Sequence, residues 1–516
     1  MTRRRLLAAA GAGAAALALP APLRGIGTSS TAAAAKATRF GAALPIPRVI
    51  DAAAFDLDVV ESEIAVLPGA KTRMWTYGGD FPGPTIRRPV GERTLATFHN
   101  RLPAKAGELT VHLHGAHNTS ADDGQPGGLT DNLRTSMYCD ISNRLTPAES
   151  GNDLLIEHGG QRTYTYDFVE GGEPERAATH WYHDHRLDQT SRNVWRGLAG
   201  MWISDDALDA SLPLPRGSRD IPLMICDRAF DRRNQLTNPF SDSAHAPNDG
   251  IVGNRILVNG AILPHHRVNA CRYRLRILNA SQFRNYNLVF EGGVTITQIG
   301  TEAGLMPKPL KRRRILIGAA ERVDLIVDFS RAKHSNVVLK SVRRGNSPGG
   351  IGSRAYSGPL MQFRVGRPIP DSTSVPAALR PLPDWVESAP KTPAKTWTIS
   401  IGKGFAPPWL INGRTFDPAY VEHRPKLGTV ETWKLVNKTT ATHLLHIHHT
   451  DWYLLSRNGK PPPPWEDCLK ETFLMDPGET LLVAGRFSDY PGKFVIHCHM
   501  LDHEDHGLMS QFETVA

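Results

Sequence analysis

Near the end of the chain runs His497-Cys498-His499-Met500-Leu501-Asp502-His503-Glu504-Asp505-His506-Gly507-Leu508-Met509, a Cys flanked by two His with a third His five residues after it. If Phe494 to Met500 forms a β-strand, successive side chains face opposite ways. His497 and His499 then point to one side and Cys498 to the other. One short segment offers two imidazoles to one site and a thiolate to a second site behind it. Thiolate with imidazole suits copper, zinc or iron, and Cys plus two His with a weak axial group is the arrangement of blue electron-transfer copper. A fold built on this strand must bring partners to both of its faces.

Three further clusters supply partners: His112-Leu113-His114-Gly115, His183-Asp184-His185 and His443-Leu444-Leu445-His446-Ile447-His448. One His-x-His pair arises easily by chance, whereas four in one chain, one of them around a Cys, are far more specific. By strand parity His112 and His114 share a face, as do His183 and His185, His446 and His448, and His497 and His499. His443 lies three residues before His446 and so faces the other way along a continuous strand, as Cys498 does from its flanking His. His503 returns to them across a short turn. Parity thus separates a Cys/His/His set from an eight-His set. Two pairs come from the first third of the chain and two from the last, which places the eight-His site between the first and last domains with the middle one as spacer.

A chain of 516 residues is too long for one ordinary core, and two to four domains follow from roughly 100–200 residues per domain. The high content of Gly (46) and Pro (39) suits a loop-rich β architecture. Short, β-rich runs bounded by turn residues dominate: Arg93 to Phe98, Arg162 to Val169, Tyr273 to Leu278, Arg322 to Phe329, Glu431 to Val436 and Thr480 to Ala484. Helical periodicity is confined to Asp188 to Trp195 and Asp205 to Ala210. A strand followed by Asn and a turn recurs at Asn100, Asn279 and Asn437, at intervals that suit one β-sandwich domain plus insertions. Boundaries fall at Leu212-Pro213-Leu214-Pro215-Arg216-Gly217 and in the Pro-rich stretch Arg367 to Pro393.

The net charge of +9 is spread along the chain. The one dense run, Lys311-Arg312-Arg313-Arg314, reads as a solvated loop. No nucleic-acid motif accompanies it, so no nucleic-acid partner is expected. Thr2-Arg3-Arg4-Arg5-Leu6-Leu7 and the Ala/Gly/Leu run to Leu19 form a charged and then an apolar region, as in an export signal. Paired Arg before Leu-Leu resembles a twin-arginine signal; a general secretory signal would lead to the same outside compartment. Cleavage anywhere from Ala21 to Ala35 is compatible, and no later membrane span is found, so no stable membrane insertion is expected after cleavage. Cys498 apart, Cys139, Cys226, Cys271 and Cys468 leave room for two disulfides or none.

With these motifs in place, the chain resembles the multicopper oxidases, which include laccases, bilirubin oxidases and metal oxidases. The resemblance runs from about Phe40 to the end. Val258-Asn259-Gly260, leading to Tyr273-Arg274-Leu275-Arg276-Ile277-Leu278-Asn279-Ala280-Ser281, is similar to the middle domain of spore-coat laccases and phenoxazinone synthases, as is Thr179 to His185. The resemblance implies an all-β fold of three cupredoxin-like (Greek-key β-sandwich or barrel) domains. They would span 36–212, 213–370 and 371–516, after a signal at 1–35. It implies type 1 copper on His443, Cys498 and His503, and type 2 copper on His112 and His446. The type 3 pair would take His114, His183, His185, His448, His497 and His499. The implied enzyme takes single electrons from phenols or aromatic amines and reduces dioxygen to water, as a secreted monomer.

Dioxygen reduction consumes protons. Asp123, in Asp122-Asp123-Gly124, and Glu504, directly after His503, match carboxylate positions of the family and are assigned as proton donors or relays; as turn-capping or solvated carboxylates they would do neither. The axial position beside type 1 copper, ten residues after the Cys and often Met in bacterial members, holds Leu508. Leu508 implies an apolar axial neighbour and a raised potential. A local shift would let Met509 coordinate instead, or Met509 packs as a core residue.

His117, His180, His449 and His506 adjoin the motifs and read as surface residues or as residues that orient ligands. His99 and the pair His265-His266 have no identified partner. Trp181, Tyr182 and Trp195 read as core aromatics, and Pro461 to Pro464 as a stiff loop bordering the substrate site. Two alternatives stand beside the laccase reading: an oxidase of Cu(I), Fe(II) or Mn(II), and a structural homologue that has lost its coppers. Only 10 Met without a cluster disfavour copper oxidation, and the filled ligand positions disfavour the second.

Overall fold

A computed structural model describes residues 39–128, 146–239, 250–332, 335–343, 356–402 and 409–516, so the signal-like segment 1–35 and Cys139 lie outside the described residues. Phe40–Ala516 forms one compact unit, built predominantly of β-strands in several sheets. Strand chemistry follows the period of two: Thr94–Asn100 buries Thr94, Ala96, Phe98 and Asn100 and turns Leu95, Thr97 and His99 outward. Thr179–Asp184 is buried along its whole length.

Six of the sheets fall into three pairs, each around one apolar core. The first pair joins a five-stranded sheet, from Val49–Ile50 to Val111–His114, with a four-stranded sheet, from Thr72–Tyr77 to Gln161–Tyr166. Tyr77, Phe98, Tyr164, Tyr182 and Trp202 fill the space between. The second pair has seven and five strands around Leu275, Leu325, Phe329 and Phe363. The third has six and four strands around Trp397, Trp433 and Trp452. The four-stranded sheet of the third pair runs Thr472–Met475, His443–Ile447, Gly492–Cys498, Met509–Thr514.

The strand-Asn-turn repeat has a physical basis in all three pairs. The strands Thr94–Asn100, Arg272–Asn279 and Thr429–Asn437 each pair parallel with an earlier strand and antiparallel with a later one. Each closing Asn then ties its own turn. The Oδ1 of Asn100, Asn279 and Asn437 accepts the backbone N–H two residues on, from Leu102, Ser281 and Thr439. The Nδ2 groups donate to carbonyls of neighbouring segments, including Ile156, Ile317 and Met475. Asn serves here because its side chain mimics a backbone turn.

The expected helices are present as Thr190–Arg196 and Ala207–Ser211. Cys226, Cys271, Cys468 and Cys498 are buried, unpaired thiols, so no disulfide forms among the described residues. One expectation is corrected in detail: the strand expected over Phe494 to Met500 ends at Cys498, and His499 lies beyond it.

Buried ion pairs link the first and second sheet pairs. The Arg274 guanidinium sits between Asp209 (2.8 Å) and Asp324, and Arg276, held by Asp220 of its own sheet, donates to Thr179 Oγ1 at 3.1 Å. Arg322 donates to the Thr179 carbonyl at 2.7 Å and pairs with Glu471, so the second sheet pair touches both of the others at one residue. Removing one partner from such a site strands the others in low dielectric. Arg274→Ala is therefore expected to destabilise the fold by about 3–5 kcal/mol, read as a lowered midpoint in thermal unfolding against wild type; an unchanged midpoint would remove this pair from the joints of the fold.

Candidate metal centre

The eight expected imidazoles converge. Val111–His114 and Thr179–Asp184 pair antiparallel with His112 opposite His183, and His443–Ile447 pairs with Gly492–Cys498 with His446 opposite His497. His185, His448 and His499 stand just past strand ends, and the turns there still direct them inward. Ring centroids lie 4.0 Å apart for His112 and His448, 3.8 Å for His114 and His446, and 4.9 Å for His185 and His497. Ligand atoms of His112, His446 and His448 lie within 4.8 Å of one another, as do those of His112, His114 and His183, and of His185, His448 and His497. His499 completes the ring of imidazoles, 4.9 Å from His114 and 5.2 Å from His183.

The hydrogen bonding suits a metal. One nitrogen of most rings is held by oxygen: His112 Nδ1 by the Asp123 carbonyl (2.5 Å), His183 Nδ1 by the Asp184 carbonyl (2.8 Å), His446 Nδ1 by the Glu471 carbonyl (3.0 Å). His448 Nδ1 reaches Asp123 Oδ2 at 2.7 Å and His497 Nδ1 reaches Glu504 Oε2 at 2.9 Å. The other nitrogens of His112, His183 and His446, Nδ1 of His114 and both nitrogens of His499 have no hydrogen-bond partner, although all are buried. Buried polar atoms are normally satisfied, and outer oxygens that orient inward-facing imidazoles are the pattern of a metal site. Burial, aided by neighbouring imidazoles, holds His112, His446, His448 and His499 well below the usual imidazole range. Burial likewise takes His183 to about 3 and His185 to about 4. The rings are thus neutral, as ligands must be.

Behind Cys498 lies the second set. His443 Nδ1 and His503 Nδ1 sit 3.5 and 3.6 Å from Cys498 Sγ, all three buried. Cys498 pairs with Leu445, two residues from His443 on the same strand face, which is the parity read from the sequence. Burial raises the Cys498 thiol to about 12, so a metal must displace its proton on binding. Leu508 is buried in the same apolar core as Cys498 and its carbonyl accepts the Cys498 N–H at 3.0 Å. Met509 faces a separate cluster of Leu187, Phe416 and Val495, opposite His497.

The two carboxylates singled out from sequence both reach the eight-His site. Burial, with Asp122 nearby, raises the Asp123 carboxyl. Burial pushes Glu504 the same way, but His185 and His497 beside it outweigh that and hold it low. Sequence reasoning missed Glu471, which reaches His114 Nε2 at 2.9 Å. Its only signal is a Lys470-Glu471 pair set in an otherwise apolar run. It also missed Thr439, 2.9 Å from His443 Nε2, and Trp409 and Phe283, whose rings face His503. Trp181, read as a core aromatic, does sit in a core cluster and also stacks on His183 at 4.1 Å. His117 and His180 are buried on backbone and side-chain oxygens, while His99 pairs with Asp56 away from the site. Pro463 and Arg312 meet at a cavity of about 170 Å³ that none of the eleven residues lines.

Comparison with known proteins agrees with this geometry. Residues 58–146 and 384–516 each match a family model described as multicopper oxidase. A laccase of Bacillus stratosphericus is 31% identical over 482 residues, covering 86% of this chain and 91% of that one. A bilirubin oxidase of Albifimbria verrucaria is 30% identical, covering 85% and 72%. The crystal structure of a multicopper oxidase from Aquifex aeolicus superposes with a TM-score of 0.76 at 27% identity, over 92% of this chain and 99% of that one. With its Cys/His/His set, its eight-His set and relatives aligned along most of its length, the chain belongs to the multicopper oxidase family.

Proposed function

We propose that this protein is a laccase-type oxidase that takes single electrons from phenols or aromatic amines at one site and uses them to reduce dioxygen to water at another. The observation that carries this reading is the sharing of three consecutive residues between two buried ligand sets: Cys498 with His443 and His503, and His497 and His499 with six further His. Bound copper supplies one-electron chemistry at the first site and dioxygen reduction at the second. The residues that would hold it are His443, Cys498 and His503 for type 1, His112 and His446 for type 2, and His114, His183, His185, His448, His497 and His499 for type 3. Covalent bonds through Cys498 give a short, fixed link between the sites, and ligands on strands or at their ends are positioned rigidly.

The three sheet pairs support a division into three cupredoxin-like domains at 36–212, 213–370 and 371–516. The eight-His site lies between the first and third, and a twin-arginine-type signal at 1–35 exports the protein, which acts outside the cytoplasm as a monomer. No described helix is long and apolar enough to cross a membrane. Asp123 and Glu504 act as proton relays: each touches ligand imidazoles, and each is buried where bulk water does not supply protons directly. Asp123 also orients His448 and, through its carbonyl, His112. Leu508 shares the apolar core with Cys498 and offers no ligand atom, so copper held by His443, Cys498 and His503 would lack a thioether ligand and have a raised potential. The relative named bilirubin oxidase keeps bilirubin among the donors to compare.

The direct test is metal analysis, the blue absorption band and oxygen uptake with phenols, aromatic amines, bilirubin and low-valent metals. About four coppers per chain and an intense blue band are expected; their absence, or uptake driven by metal ions alone, would overturn the reading. Glu504→Gln is expected to slow reoxidation of the reduced enzyme by about 10²–10⁴-fold while the blue band persists, as followed by stopped-flow absorbance. Asp123→Ala should weaken copper retention by about 10–100-fold in competition with a chelator. For Leu508→Met, redox titration of the blue band should give a lower potential, and an unchanged value would mean that residue 508 does not reach a metal held by His443, Cys498 and His503.

A further inference from the structure

The second and third sheet pairs meet around a cavity of about 170 Å³ that none of the metal-binding residues lines. One wall comes from the strands Gly304–Arg312, Ile315–Ile317 and Arg322–Asp328, the other from Trp452–Arg457, Thr472–Met475 and the loop that carries Pro463 and Trp465. Ile317, Val323, Leu474 and Pro463 make part of the lining apolar. Four cations also line it, and three are matched by carboxylates. Arg457 pairs with Glu466 and Glu479, both at 2.8 Å. Lys470 pairs with Glu302 at 2.8 Å and Glu321 at 3.2 Å, and Arg322 pairs with Glu471. Arg312 is the exception. It ends the edge strand of the seven-stranded sheet and is half-buried. Its partners among the described residues are neutral: the Gln298 side chain, which accepts from Nη1, and the Trp465 ring, whose centroid lies 4.7 Å from the guanidinium carbon. Glu466, whose charge reaches Arg312, is already held by Arg457 through both of its carboxylate oxygens. Trp465 is 46% exposed, so this side of the cavity reaches the surface.

We infer that this cavity binds a small aromatic monocarboxylate, of the benzoate class, with its carboxylate on Arg312 and its ring against the apolar lining. A half-buried guanidinium without a counter-charge is stabilised by an anion, and its planar fork matches a carboxylate. Gln298 takes one N–H group and the indole one face, so a ligand meets the remaining N–H edge. A void of roughly 150 Å³ holds a benzene ring, and this one admits a single ring with its carboxylate. Glu321, Glu466 and Glu479 in the lining disfavour a multiply charged anion such as phosphate, which also gains nothing from the apolar side. The exposed Lys311, Arg313 and Arg314 beside Arg312 raise the local concentration of anions. The site is independent of the functional reading above, since occupancy moves no electron.

The test is calorimetric titration of benzoate into the copper-loaded full chain, with the blue band followed in parallel. One benzoate per chain is expected, with the blue band unchanged. Arg312→Gln removes the charge and should weaken binding by about tenfold or more. Arg312→Lys keeps the charge without the fork and should weaken it less. Benzyl alcohol, a ring without the charge, and inorganic phosphate, a charge without the ring, should each bind about tenfold more weakly than benzoate. Arg312 is not a metal ligand, so both variants should keep wild-type copper content. If the glutamine variant fails to fold, the lysine variant and the two probes carry the comparison. Benzoate binding that neither substitution changes, or that shifts the blue band, lies elsewhere and would overturn the assignment. Phosphate binding as tight as that of benzoate would overturn the aromatic class, and absence of benzoate binding would overturn the site.

Discussion

Neighbouring side chains on a β-strand face opposite ways, and the two metal sites depend on that constraint. Gly492–Cys498 lies between His443–Ile447 and Met509–Thr514, so both faces of its end are walled by ordered neighbours. The register that sets His446 opposite His497 also sets Leu445 opposite Cys498. Every residue with the parity of Cys498 therefore looks into the apolar core of the third sheet pair. Every residue with the parity of His497 looks toward the first. A slip of one residue would exchange the faces and leave thiolate and imidazoles in the wrong sites.

Burial does the next part of the work. Imidazoles packed together would repel as cations, and burial disfavours the charged form of His112, His114, His183, His185, His446, His448 and His499. The outer oxygens come from separate segments: Asp123 for His112 and His448, Glu471 for His114 and His446, and Glu504, 2.9 Å from His497 Nδ1 and 3.4 Å from His185 Nδ1. Glu471 in turn pairs with Arg322, which also bonds Thr179. The middle sheet pair is thus more than a spacer. Its Arg322 braces a residue that touches two ligand imidazoles, and its Phe283 enters the third core against His503. Gln282 links the two outer parts as well, accepting the Leu501 N–H and donating to the Ser191 carbonyl.

Much of this was readable from residue order because strand parity is local. His-x-His spacing and the Cys between two His specify faces without reference to partners, and the recurring Asn marked the same turn in all three sheet pairs. The misses have one cause. Glu471, Thr439, Trp409 and Phe283 carry no metal-ligand spacing of their own; each matters only because a distant strand brings an imidazole to it. The strand ended at Cys498 rather than Met500 for a similar reason. Leu444 accepts the His499 N–H there, and the chain turns into the short helix Leu501–Asp505.

By itself, then, the sequence determined that this chain is a β protein with a thiolate site and an eight-imidazole site sharing three consecutive residues, since alternation along a strand needs only the order of residues. Tertiary structure alone decided what surrounds those ligands. It put Leu508 beside Cys498 and turned Met509 away into a different cluster, because the bend after His506 and the pairing of Met509 with His497 set their directions. It also closed Trp409 over His503, a contact between segments nearly a hundred residues apart that no local pattern encodes.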